Sequence, residues 1–208
     1  MNNHSLFARL GLIASAVAAL VAPMASHANS VYTVLATGTI TNTASLDFTI
    51  VVERFLALRI GTGAITTNTA TIDQVAFAVP GTTNGIGGAG IAGASTIAAH
   101  VRGNGGVVTL TSTTPAGNLV NAAANTINYT TITAAGVALP TPAATVLAHP
   151  AFVSGGTSAA VTPTSTLGVV DAGAIWTFTY SNAVIVAGGT YGGVNALGSR
   201  VVYTAVMP

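Results

Sequence analysis

The chain contains no cysteine and no lysine, and only 4% of its 208 residues carry a formal charge. Without cysteine there is neither a disulfide framework nor thiol chemistry. The only basic side chains besides histidine are Arg9, Arg54, Arg59, Arg102 and Arg200, and they are scattered. Backbone recognition of nucleic acid needs clustered Lys and Arg to replace phosphate counterions, so nucleic acid is excluded as a partner. The carboxylates are Asp47, Glu53, Asp73 and Asp171. Globular domains ordinarily carry about 25% charged residues, so what replaces charge at this surface is the central question.

The first 28 residues read as a secretory signal peptide: a short region whose only charge is Arg9, an apolar run from Leu10 to Val21, and Ser26-His27-Ala28 as a small-x-small cleavage pattern. The apolar run is shorter than the roughly 20 residues a spanning helix needs, and no second long run follows, so no integral membrane anchor is expected in the mature chain. Cleavage removes Arg9 and leaves four arginines against four carboxylates, a side-chain balance of zero. A neutral surface offers little intermolecular repulsion and favours self-association. The expected location is the periplasm, the cell surface or the medium of a bacterium.

From residue 29 to 208 the text is β vocabulary in short runs separated by Gly, Asn and Pro, with no helical periodicity. Strands are predicted near 31–41, 45–52, 55–60, 71–79, 95–102, 106–113, 126–133, 144–148, 167–170, 174–181, 183–186 and 200–206. Trp176, Phe178 and Tyr180 alternate with smaller residues and should share one strand face. Gly81 to Gly93 reads as a long loop. Short strands at this spacing predict a single all-β domain, an antiparallel sandwich of Ig-like or jelly-roll type.

The chemical motifs are weak. Gly88-Ala89-Gly90-Ile91-Ala92-Gly93 has the G-x-G-x-x-G form, but no carboxylate stands between Asp73 and Asp171 to hold a ribose, so no dinucleotide site follows. His100 and His149 are the only mature imidazoles, no nucleophile motif accompanies either, and both read as ordinary strand or loop histidines. The carboxylate pool is too small to favour glycoside hydrolysis. There is no metal-ligand spacing. No catalytic residue, metal or cofactor is therefore expected, and the protein is not read as an enzyme.

The positive signal is distributed along the strands. Sheet edges are normally guarded by lysine, inward charge or proline, because unpaired N–H and C=O groups recruit other strands. Here that protection is nearly missing. Tyr32, Val34, Ala36, Gly38 and Ile40 form one alternating set that can pair either within its own sandwich or with another subunit by β-augmentation.

Trp176-Thr177-Phe178-Thr179-Tyr180, then Ala187-Gly188-Gly189-Thr190-Tyr191-Gly192-Gly193, then Arg200-Val201-Val202-Tyr203-Thr204-Ala205 resembles the closing pattern of bacterial surface β-sandwiches. Spore coat U-type and fimbrial subunits and WxL-type wall-binding domains are similar here. The resemblance implies a secreted module used for assembly or adhesion. It carries over no functional residue, since the pilin disulfide and the W-x-L tripeptide are both missing. The reading is thus an exported structural or adhesive subunit that associates with itself or with other surface subunits. Two alternatives stand beside it: a carbohydrate- or surface-binding module with Tyr32, Tyr129 or Tyr191 stacking on sugars, and an outer-membrane β-barrel.

Overall fold

A computed structural model describes residues 30–88, 90–140 and 145–208. The expected signal peptide and the glycine-rich motif's Ala89 lie outside the described residues. The chain divides into two units after Val52. The β-sandwich belongs to Glu53–Pro208, and residues 30–52 carry no strand.

The larger sheet is seven-stranded. Its strands are β1 (Leu56–Ile60), β2 (Ile91–Ala92), β3 (Ile97–Gly103), β7 (Ile132–Ala138), β8 (Thr145–Val146), β9 (Ser165–Thr166) and β10 (Val169–Tyr180). The remaining strands are β4 (Thr109–Thr113) with β11 (Val202–Val206), and a small pair, β5 (Leu119–Val120) with β6 (Thr126–Ile127). Strand β10 is the axis of the larger sheet. Antiparallel β3 runs along one side from Val170 to Trp176, and antiparallel β7 along the other from Ala174 to Tyr180. The expected strands at 167–170 and 174–181 are therefore parts of one continuous strand.

Alternation decides which side of β10 faces the core. Val170, Ala172, Ala174, Trp176, Phe178 and Tyr180 are all buried, as the period of two requires. Strand β4 turns Leu110 and Ser112 to the same core, flanked by buried Val108 and Thr114, and β11 adds Tyr203 and Ala205, followed by Met207. Segment 156–161 flanks β4 on its other side through the Leu110–Val161 bridge and the Ser158 N–H bond to the Ser112 carbonyl. The two layers meet where Trp176 and Tyr203 lie 5.5 Å apart, which makes the all-β sandwich.

Several expected strands are absent for local reasons. Residues 71–79 keep the alternation, with Val75, Phe77 and Val79 against the core, yet they form no ladder. At 183–186 an asparagine replaces a partner strand: the Asn84 amide nitrogen donates to the Val186 carbonyl, and its oxygen accepts the Val186 N–H. The run at 126–133 is broken by a 3-10 turn at Tyr129–Thr131, where the Thr131 hydroxyl and N–H both bond the Asn128 carbonyl.

The β9–β10 hairpin turns through Leu167 and Gly168, with φ of 51° and 79°. Two positive φ values are those of a type I′ turn, which suits Asn-Gly. Leucine there is strained, and its side chain is 99% exposed and packs on nothing. Leu167→Asn should raise stability by about 1 kcal/mol, read as a higher urea midpoint with an unchanged slope. An unchanged or lower midpoint would mean that the turn is not of this type in solution.

Candidate functional site

Three places concentrate chemistry or exposed apolar surface: the arm from residue 30 to 52, a charged cluster on the outer face of the large sheet, and an aromatic nest around His149.

In the arm, Tyr32 is 88% exposed, and Val34, Ala36, Gly38 and Ile40 are exposed as well. They do not form the single alternating face that their spacing predicts. The chain bends over Ala36–Gly38, where Gly38 takes φ of 108°, and the Asn42 side-chain amide returns to the Val31 carbonyl at 3.1 Å. Further along, Phe48, Ile50 and Val51 are 83%, 85% and 86% exposed, with Leu46 and Val52 exposed beside them. Such a contiguous apolar run at a surface marks an interaction site or an aggregation hazard.

The outer face of the large sheet collects much of the chain's sparse charge. Register sets Arg59 opposite His100, and Arg102 opposite Asp171. The Asp171 carboxylate accepts from His100 Nε2 at 2.6 Å through one oxygen and meets Arg102 Nε at 3.4 Å through the other. His100 is buried and Asp171 partly so, and this shared carboxylate compensates the burial of the imidazole. Arg59 donates to the Gly63 carbonyl at 3.1 Å, while its Nε is enclosed without a partner. Local spacing could not reveal this cluster, because His100 and Asp171 are brought together only by the β3–β10 ladder.

His149 enters from the loop after β8. It stands edge-on to Trp176 at 4.7 Å, Phe152 at 4.6 Å, Phe178 at 5.3 Å and Tyr203 at 5.7 Å. Its Nε2 lies 2.8 Å from the Tyr203 hydroxyl. Burial among these rings pushes the imidazole down to about 4. The Tyr203 hydroxyl is pushed well above its ordinary value, first by burial and then by Tyr129, so it stays protonated at neutral pH. The pair is a hydrogen-bonded polar element in an apolar core. The sequence marked His149 only as an ordinary strand or loop histidine, since three of its ring neighbours come from β10 and β11.

Two of the three aromatics named for sugar stacking are tied into the sandwich. Tyr129 is buried, with its hydroxyl donating to the Gly198 carbonyl at 2.6 Å, and Tyr191 is half-buried, with its hydroxyl on the Ala187 carbonyl at 2.9 Å. Of the three, Tyr32 alone is exposed. Among the described residues there is no group of three or more metal-ligating side chains, and no helix long and apolar enough to cross a membrane.

No family model, curated protein or solved structure matches this chain.

Proposed function

We propose that this protein is an exported structural or adhesive surface subunit that assembles through β-strand pairing. The observation that carries the reading is the arm preceding the sandwich: it is written in strand residues, forms no strand, and exposes Tyr32, Val34, Leu46, Phe48, Ile50 and Val51 to solvent. Leaving that much apolar surface in water is unfavourable by roughly 25 cal/mol per Å², and an unpaired strand obtains both hydrophobic burial and backbone hydrogen bonds by joining another sheet. A neutral surface without lysine does nothing to keep copies apart. The signal-like first 28 residues and the surface-sandwich resemblance of the C-terminal stretch support the same reading.

The test compares the mature chain with a version lacking residues 30–52, by size-exclusion chromatography and electron microscopy. The mature chain should form multimers or fibres, and the truncated chain should remain a folded monomer with an unchanged β circular dichroism signature. Identical assemblies from both would overturn the role of the arm.

A further inference from the structure

We infer that residues 46–52 of one copy add as a strand to the open edge of β1 in a second copy, with Asp47 seated opposite Arg59. This rests on the assembly reading above and names its donor, its acceptor and its register.

The donor is the part of the arm with an uninterrupted period of two. Leu46, Phe48, Ile50 and Val52 fall on one face, and Asp47, Thr49 and Val51 on the other. All seven are exposed, and none of them takes a positive φ. The earlier stretch, by contrast, is bent at Ala36–Gly38.

The acceptor is an unpaired edge with room beside it. Strand β1 pairs with β3, and among the described residues its other edge carries no ladder. Two adjoining clefts of about 380 and 400 Å³ run between β1 and the Thr- and Asn-rich loop of residues 62–71. Consecutive β1 residues line them, as an edge requires and a single sheet face does not. The edge lacks the lysine or proline that ordinarily blocks pairing.

Antiparallel addition in one register matches both faces. Leu46, Phe48 and Ile50 then lie opposite Ile60, Leu58 and Leu56, and Leu58 and Ile60 already pack on the core. On the outer face Thr49 lies opposite Ala57, and Asp47 opposite Arg59. Arg59 has no carboxylate partner among the described residues, and its Nε is unpartnered. A slip by one residue would reverse every side chain and lose all of these pairings.

The pairing is assigned between copies because Glu53–Phe55, which lead into β1, are tied to the turn after β3 and supply no tight turn. Asn104 bonds the Glu53 carbonyl through its amide nitrogen and the Phe55 N–H through its oxygen, at 2.7 and 2.8 Å. Arg54 bonds the Gly105 carbonyl at 3.1 Å. No residue from Val51 to Phe55 has the positive φ that tight hairpins favour.

The native chain has no cysteine, so disulfide trapping in the full-length mature protein reads register directly. Thr49→Cys with Ala57→Cys should give a reducible ladder of covalent multimers under mild oxidation, and Asp47→Cys with Arg59→Cys should do the same. Phe48→Cys with Ala57→Cys places the thiols on opposite faces and should give far less. Asp47→Arg should weaken assembly several-fold, and adding Arg59→Asp should restore it. Reducible monomers would mean a hairpin within one chain and overturn the inference. Assembly without trapping by either in-register pair would overturn the register while leaving the assembly reading intact. A mature chain that never assembles would overturn both.

Discussion

Replacing Trp176 by alanine should lower the unfolding free energy by about 3 to 5 kcal/mol, the range for removing a fully buried large aromatic. Trp176 is completely buried at the centre of β10. It lies against His149 and Tyr203, and its indole N–H donates to the Leu147 carbonyl at 2.9 Å. Across the β7 ladder the sequence provides Gly136, where an added Cβ would come within 3.3 Å of the indole. Alanine would open a cavity and leave a buried carbonyl without its donor, and both costs add. Phenylalanine at the same position should recover most of the packing but not the hydrogen bond. Trp176 is the only tryptophan, so unfolding of these variants must be followed by circular dichroism. A loss below about 1 kcal/mol for Trp176→Ala, well short of the usual range, would show that the two layers are not organised around this ring.

The second large effect is acid destabilisation through His149. Above pH 6.5 the imidazole is neutral in both the folded and the unfolded chain, and folding is indifferent to pH at this site. As pH falls below 6.5, the unfolded chain takes up a proton that the folded chain refuses until about pH 4. Stability present above 6.5 is therefore lost progressively between 6.5 and 4, by about 3 kcal/mol in total. The cause is physical exclusion: four aromatic rings, one of them a protonated tyrosine, replace the water that would solvate an imidazolium. Urea unfolding at a series of pH values, compared between the native chain and His149→Phe, isolates this contribution. The native chain should show the steeper decline from 6.5 to 4, and parallel curves would rule out the neutral buried imidazole.

Much of the fold was legible because one face of each principal strand is buried. The period of two in Trp176–Tyr180 and in 106–113 is imposed by the core, so those residues announce both strand and orientation. The failures have the same physical root. Residues 71–79 alternate because they cover the core, but covering it does not require ladder partners. Residues 183–186 satisfy backbone groups through Asn84, a long-range side-chain contact with no local signature. The arm has strand chemistry and no strand, since alternation reports a preference for a sheet and does not say whose. The His100–Asp171–Arg102 cluster was hidden for a different reason: its members are ordinary in sequence and meet only through register.

The way β4 and β11 pair also sets when the molecule can fold. Thr109 must wait for Val206, and Ile97 for Trp176, so the main ladders join segments synthesised far apart. Loop-closure entropy is spent before such contacts return anything, and topologies of this kind fold in milliseconds to seconds. A newly made chain therefore cannot complete its sandwich until β11 has been synthesised. Completion of the second layer waits for its last strand, β11, however early the larger sheet assembles.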